Sequence, residues 1–100
     1  MQIILAMSLL LVNADFPICT EANIQNYPTP IYTNNQYCVF WTDYRDNSTT
    51  STSCLYVARI SNDGTVLDPG GKLVFRDSVT EKPVVAYDGT NFLVALRNGC

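Results

Sequence analysis

The sequence predicts an all-β fold of short antiparallel strands, and three observations support this prediction. The apolar stretches are short, rich in β-branched and aromatic residues, and separated by turn-forming residues. No window beyond residues 1–14 shows a helical period. The second half of the chain repeats the plan of the first half, which is typical of architectures that stack copies of one supersecondary unit.

The internal repeat has a constant spacing of 55 residues. Five pairs of positions define it: Pro28 and Pro83, Tyr32 and Tyr87, Tyr37 and Phe92, Val39 and Val94, Trp41 and Leu96. This spacing divides the chain into an N-terminal extension at 15–27, a first repeat at 28–82 and an incomplete second repeat at 83–100.

The first repeat contains three windows with the pattern of a strand. Gln36–Asp43 alternates aromatic and β-branched residues, so we expect a strand that is buried on both faces. Residues 54–60 and 72–75 are predicted as further strands. Asp63-Gly64 predicts a tight turn, because glycine tolerates a positive φ. Residues 66–67 are expected to begin the returning strand, and Asp68-Pro69-Gly70-Gly71 to break it.

The second repeat contains one predicted hairpin. Its strands are residues 83–87 and 91–96, joined by a turn at Asp88-Gly89. Because the two repeats share a pattern, we expect their hairpins to lie side by side and to shield each other's apolar surface.

Residues 1–14 form an uncharged apolar segment that ends in Val12-Asn13-Ala14. This composition is typical of a secretory signal peptide with a small residue at the cleavage site, and it predicts a secreted, extracellular protein. The apolar run is too short to span a bilayer, which needs about 20 residues. The alternative is that the segment is retained as a buried apolar strand or helix.

Composition excludes several classes of function. The net charge is −3 and no basic cluster is present, so neither nucleic acid nor anionic lipid is an expected partner. The chain has no histidine, no nucleophile motif and no glycine-rich phosphate loop. We therefore predict a non-enzymatic protein with no catalytic residues, no cofactor and no metal.

The four cysteines, Cys19, Cys38, Cys54 and Cys100, are candidates for disulfide bonds. Their spacing does not fit a metal site, since no two of them lie two to four residues apart. Three pairings are possible, and we prefer Cys19–Cys38 with Cys54–Cys100. The alternative for Cys38 is a small buried apolar residue, because its repeat counterpart is Leu93.

Three stretches, VFWTDYRDN, CLYVARISNDGTVLDPGGKLVF and PVVAYDGTNFLVAL, together resemble the blade repeats of secreted bacterial β-propellers. Those repeats carry Pro-x-hydrophobic-Ala-Tyr, Asp-Gly, Phe-Leu-Val-x-Trp, Asp-x-Arg and Asp-Gly-Thr-x-Leu-Asp, and each forms one four-stranded blade. The resemblance covers about residues 28–100 and implies propeller-blade-like sheets. Fewer than two repeats are present, whereas a closed propeller needs at least about four blades. A small β-sandwich is the alternative fold.

A polar cluster after the Trp41 strand forms the candidate ligand-binding edge. Its members are Asp43, Tyr44, Arg45 and Asp46, which offer charged groups to a glycan or a cation. The alternative is a structural role, in which Asp43 accepts hydrogen bonds from the loop backbone and pairs with Arg45. If the protein were a glycosidase, Asp43 and Asp46 would be its pair of carboxylates. Nothing in the sequence distinguishes them from ordinary acidic residues of a loop.

Aromatic rings are candidate platforms for a sugar, whose apolar face stacks on them. The candidates are Tyr27, Tyr32, Tyr44, Tyr56 and Trp41. Trp41 has the parity of a core residue and is matched by Leu96, so we favour a core position for it.

A polar loop is predicted at residues 45–53, and it contains the glycosylation sequon Asn47-Ser48-Thr49. Asn47 is a glycosylation candidate only if the chain is secreted by a eukaryotic cell.

Three functions remain as hypotheses. The first is an extracellular structural module that self-associates, or joins other β subunits, through strand edges and an apolar face. The second is a carbohydrate- or protein-binding module that forms the N-terminal fragment of a larger propeller. The third, which we rank last, is a fragment of a sialidase-type enzyme.

Overall fold

The computed structural model describes residues 3–5, 16–45, 53–76, 79 and 81–97. These residues form eight strands and no helix, which confirms the predicted all-β class. The strands are β1 (Ile3–Leu5), β2 (Phe16–Cys19), β3 (Gln25–Thr33), β4 (Gln36–Asp43), β5 (Cys54–Ser61), β6 (Lys72–Arg76), β7 (Val84–Tyr87) and β8 (Phe92–Ala95).

All strand pairs are antiparallel, and they form three sheets. β1 pairs with β2, the central sheet has the order β3-β4-β5-β6, and β7 pairs with β8. Of residues 1–14, only Ile3–Leu5 are described, and they form β1. None of the described residues belongs to a helix that could cross a membrane.

The predicted strands β4, β5, β6, β7 and β8 are confirmed within two residues at each end. The return expected to begin at residues 66–67 consists of one isolated antiparallel bridge between Val66 and Ile60 and a hydrogen bond from the Leu67 N–H to the Arg59 carbonyl, and it breaks at residues 68–71 as predicted. The chain leaves the sheet there because Pro69 has no backbone N–H group to donate. Gly70 and Gly71 then turn it back with φ angles of +77° and +82°.

β3 begins at Gln25, inside the segment predicted as an N-terminal extension. Its pairing with β4 is interrupted between Asn26 and Thr29, where Tyr27 has a φ angle of +57°. This irregularity is a β-bulge immediately before Pro28, whose missing donor fits the interruption.

The two inner strands of the central sheet, β4 and β5, are largely buried on both faces, whereas every residue of β6 is exposed. On one side, called the front face, Val39 and Trp41 of β4 pack with β5 and with Ile18 and Cys19 of β2. Ile18 and Cys19 are 3% and 1% exposed, so the N-terminal extension supplies part of the core.

The opposite side, called the back face, is covered by the hairpin β7-β8, which is called the C-terminal hairpin below. Cys38 and Phe40 of β4 pack there with Leu55 and Val79. Three side chains of the hairpin or its end, Val85, Val94 and Leu96, pack against this cluster. The Phe40 and Phe92 rings meet edge to face with centroids 5.4 Å apart. The central sheet therefore forms the middle layer between β2 and the C-terminal hairpin.

The two hairpins β3-β4 and β7-β8 have the same register once the repeat spacing is applied. Ile31 lies opposite Cys38 in the first hairpin, and their counterparts Ala86 and Leu93 lie opposite each other in the second. The other three pairs of β7-β8 correspond in the same way. The turns differ: the positive φ belongs to Asn35 (60°) in the first hairpin and to Gly89 (102°) in the second.

The two turns also touch each other. The Asn34 amide donates hydrogen bonds to the Tyr87 hydroxyl at 3.0 Å and to the Gly89 carbonyl at 3.3 Å. Nearer the other end of the hairpins, the Thr29 hydroxyl donates to the Pro83 carbonyl at 3.5 Å. The hairpins thus lie side by side, with β3 next to β7.

Candidate functional site

Asp43 of the predicted ligand-binding edge is completely buried at the end of β4. Its carboxylate accepts hydrogen bonds from the Trp41 indole, from the Arg45 guanidinium and from the Arg45 backbone N–H, each at 2.8 Å. Burial raises the pKa of Asp43, but these hydrogen bonds more than offset it, so the pKa lies below its usual value. Asp43 is an ionised group held by internal partners.

Arg45 connects the central sheet to two other segments. Its guanidinium donates to the Gly70 carbonyl at 2.6 Å, lies 3.5 Å from the Cys19 sulfur and stands 4.0 Å above the Tyr56 ring. Glu21 lies 3.7 Å away and completes a partly exposed ion pair. The cation therefore joins β2 and the Gly70 loop to the front face, and its charge is directed toward the protein.

The other two residues of the predicted edge have different positions. Tyr44 is half-buried, and its backbone N–H donates to the Ile24 carbonyl at 3.0 Å. Asp46 lies outside the described residues, as do the sequon residue Asn47 and Cys100. The described part of the edge, residues 43–45, is held mainly by contacts within the chain.

A second ionic cluster, which lies outside the predicted ligand-binding edge, fixes the loop between β5 and β6. Asp68 is 5% exposed and accepts two hydrogen bonds from the Arg59 guanidinium, at 2.9 and 3.1 Å. The Lys72 ammonium lies 3.4 Å from the same carboxylate. The hydrogen bonds from Arg59 hold the pKa of Asp68 well below its usual range. The strand arginine and the aspartate of Asp-Gly-Thr-x-Leu-Asp were the available sequence signals.

Cys19 and Cys38 do not pair with each other as predicted. Cys19 and Cys38 are buried free thiols, and no disulfide joins two cysteines within the described residues. Cys19 lies in the front-face cluster and Cys38 in the back-face cluster, so the sheet separates them and a Cys19–Cys38 bridge is wrong. Burial raises the pKa of the Cys38 thiol, which fits its alternative interpretation as a small apolar residue. Cys54 is buried, and its predicted partner Cys100 lies outside the described residues.

The aromatic residues predicted as sugar platforms differ in their solvent exposure. Trp41 is fully buried, which confirms its core position, and Tyr56 is buried beside it in a stacked arrangement. Tyr27 and Tyr32 are 45% and 54% exposed. Tyr32 borders a cleft of about 460 Å³ where the two hairpin turns meet. The other residues that line it are Thr33, Asn34, Asn35, Tyr87 and Gly89. An exposed ring beside two amide side chains is suited to a polar ligand with an apolar face.

A second concavity lies on the back face beside β8. It has a volume of about 420 Å³ and is lined mainly by apolar side chains of the central sheet and of β8. Phe40, Val57 and Val74 form its floor, while Phe92 and Val94 form one wall. Arg59, Asp68 and Lys72 lie at its border. This concavity is called the back groove below.

Within the described residues, no three metal-ligating side chains come together. Comparison of the chain with protein-family profiles, curated proteins and solved structures gives no match.

Proposed function

We propose that the protein is a non-enzymatic extracellular structural module that self-associates through the outer face of its C-terminal hairpin. The observation that carries the proposal is the exposure of apolar side chains on this face. Val84 and Leu93 are 67% and 72% exposed, and Ala86 and Ala95 between them are also exposed. A contiguous apolar sheet face in water favours association.

The first repeat supports this proposal, because the same face is covered there. Leu93 corresponds to Cys38 and Ala95 corresponds to Phe40, and both counterparts are 3% exposed. Their burial comes from the packing of β7-β8 against the back face. The repeat unit therefore carries a face that is buried wherever a neighbouring hairpin is available.

The geometry favours a symmetric dimer in which the outer faces of two copies pack together. A head-to-tail stack needs the front face of the second copy, and β2 already occupies that face with Ile18 and Cys19. A symmetric contact needs only the exposed face of each copy. The four-stranded antiparallel central sheet, which has the strand number of a propeller blade, supports the wider interpretation of the chain as a stacking unit.

Sedimentation velocity over a range of protein concentrations tests the proposal. The wild-type chain should shift from monomer to dimer as concentration rises, whereas Leu93→Lys and Val84→Lys should remain monomeric because a buried lysine pair repels. Thr90→Lys adds the same charge on the exposed turn of the same hairpin and should leave dimerisation unchanged. A wild-type monomer at all concentrations, or dimerisation of Leu93→Lys, would contradict the proposal.

Carbohydrate binding is a second candidate function, favoured by the cleft between the two turns. Tyr32 offers an exposed ring, and the amide side chains of Asn34 and Asn35 line the same cleft, although the Asn34 N–H groups already donate to Tyr87 and Gly89. Titration with a panel of oligosaccharides should show saturable binding that Tyr32→Ala abolishes. Tyr27→Ala removes a similarly exposed ring outside the cleft and should leave binding intact. Binding of no sugar, or equal loss in both variants, would remove this candidate.

A further inference from the structure

The outer edge of β8 carries no strand within the described part of the chain, where β8 pairs with β7 alone. Its counterpart in the first repeat, β4, has strands on both edges. On its second edge β4 pairs with β5 over eight consecutive residue pairs, from Gln36 opposite Ser61 to Asp43 opposite Cys54. The backbone of β8 has the same register as β4 toward its hairpin partner, so its other edge presents an equivalent ladder.

The back groove lies directly beside this edge. The C-terminal hairpin covers the β4 side of the back face, and the groove remains over Val57 of β5 and Val74 of β6. Val74 is 46% exposed there, and Val57 is half-buried. A strand added to β8 would extend the small sheet across the same two strands and bury this surface.

We propose that the β8 edge and the back groove together form a docking site for an extended polypeptide strand with the residue pattern of β5. The strand would run antiparallel to β8 and belong to another polypeptide. This inference deepens the proposed function, because it names the kind of segment that an assembly through this hairpin recruits.

The register predicts which side chains of the strand enter the groove. In the first repeat Ala58 lies opposite Val39 and Ile60 lies opposite Tyr37. The counterparts of Val39 and Tyr37 are Val94 and Phe92, which form the wall of the groove. A β5-type strand would therefore place one small and one larger aliphatic side chain beside this wall. Alternate side chains would point away from the groove, so a period of two is the recognition signal.

The test uses a synthetic peptide with the sequence of Cys54–Ser61, in which Cys54 is replaced by serine and lysines are added at the ends for solubility. Backbone amide NMR shifts of the full chain should change in a saturable way at Phe92–Ala95 and at Val57 and Val74. A peptide that carries proline at the positions of Ala58 and Ile60 keeps the length but loses the two backbone donors that would face Val94 and Phe92, since the N–H of the intervening Arg59 points to the opposite edge, toward Asp68. This second peptide should cause no saturable change.

A matched pair of protein variants locates the site. Val74→Lys places a charge in the groove and should weaken peptide binding by about tenfold or more. Leu73→Lys alters the preceding residue of β6, which is similarly exposed at 42% but does not line the groove. This control should bind the peptide within about twofold of wild type.

The outcomes separate this inference from the proposed function. Val74→Lys should still dimerise, because its substitution lies away from the outer face, and Leu93→Lys should still bind the peptide through the β8 backbone. Absence of saturable shifts at β8, equal binding of the proline peptide, or equal effects of Val74→Lys and Leu73→Lys would each overturn the docking site. None of these results would alter the dimerisation measurement.

Discussion

The hairpins β3-β4 and β7-β8 have the same register but very different burial. In the first hairpin Cys38 and Phe40 are each 3% exposed, and in the second their counterparts are Leu93, at 72%, and the exposed Ala95. Both hairpins are short, apolar and antiparallel, so local sequence does not account for the difference. The neighbours account for it, because β3-β4 lies in a four-stranded sheet with layers on both faces.

This comparison shows that an apolar pattern indicates which faces of a strand can be buried. The neighbouring elements of the fold determine which of those faces are buried. The second hairpin has the pattern of a doubly covered unit and is covered on one face. Self-association would bury its exposed apolar face, and docking of a further strand would pair the outer edge of β8.

The largest difference is expected at the paired positions Trp41 and Leu96. Trp41→Ala removes a fully buried ring and the indole donor to Asp43, and it should lower the free energy of unfolding by about 3–5 kcal/mol. Leu96→Ala truncates a half-buried side chain and should cost about 1–2 kcal/mol. Urea unfolding of both variants measures the contrast, and equal losses would show that the two positions have equivalent surroundings.

A second contrast concerns two glycines with positive φ. At Gly71 a Cβ atom would lie 2.5 Å from the Trp41 ring, so Gly71→Ala should cost at least about 2–4 kcal/mol. At Gly89 nothing lies within 4 Å of an added Cβ atom, and Gly89→Ala should cost only the backbone term of about 1–2 kcal/mol. Thermal and urea unfolding should rank the variants in this order, and the reverse order would contradict the packing of Trp41 against the loop.

The dependence of stability on pH should come more from the first repeat than from the second hairpin. Asp68 has a lowered pKa in the folded state, so its ion pair contributes fully above the ordinary aspartate pKa of about 3.9. That contribution is lost as the pH falls below this value toward the folded pKa. Asp68→Asn should therefore flatten the loss of stability between about pH 5 and pH 2.

Asp88 provides the control for this pH dependence. Its pKa is also lowered, by hydrogen bonds from the backbone of Asn91 and Thr90, but its side chain lies on an exposed turn. Water screens that interaction, so Asp88→Asn should change the pH profile less than Asp68→Asn. Urea midpoints at several pH values measure both, and a larger effect of Asp88→Asn would contradict the account.

The smallest effect on stability is expected for Leu93→Cys, at the counterpart of Cys38. The two thiols should nevertheless differ clearly in their rate of alkylation. The Cys38 thiol is buried and its pKa is raised, so alkylation by iodoacetamide at pH 8 should be slow in the folded protein. In a Leu93→Cys variant at a concentration where the chain is monomeric, the thiol at the equivalent position should react about a hundredfold faster, since only dimerisation would cover it. Peptide mass spectrometry distinguishes the sites, and comparable rates would show that the back face is open.

The sequence predicts the regular part of the fold well, because its signals are local. The alternation in Gln36–Asp43 and the Asp88-Gly89 turn identified β4 and the second hairpin directly. The pairing of Cys19 with Cys38 failed because parity along one strand does not reveal which face a separate segment covers. The core role of Ile18 was missed for the same reason, since only tertiary packing places β2 on the front face.

The candidate sites depend even more on tertiary contacts. Asp43 and Arg45 were identified together, yet their partners Cys19, Tyr56 and Gly70 come from three other segments. The back groove involves β4, β5, β6 and β8, which no single motif joins. The repeat spacing is the one sequence feature that connects distant segments, and it pairs the covered face of one hairpin with the exposed face of the other.

The equivalence of the two hairpins is tested most directly by nuclear Overhauser contacts between backbone Hα protons across each strand pair. One alternating set of contacts is expected in β3-β4 and the same set 55 residues later in β7-β8, together with contacts between the Phe40 and Phe92 rings. A register in β7-β8 shifted by one residue, or the absence of contacts between the two rings, would contradict this expectation.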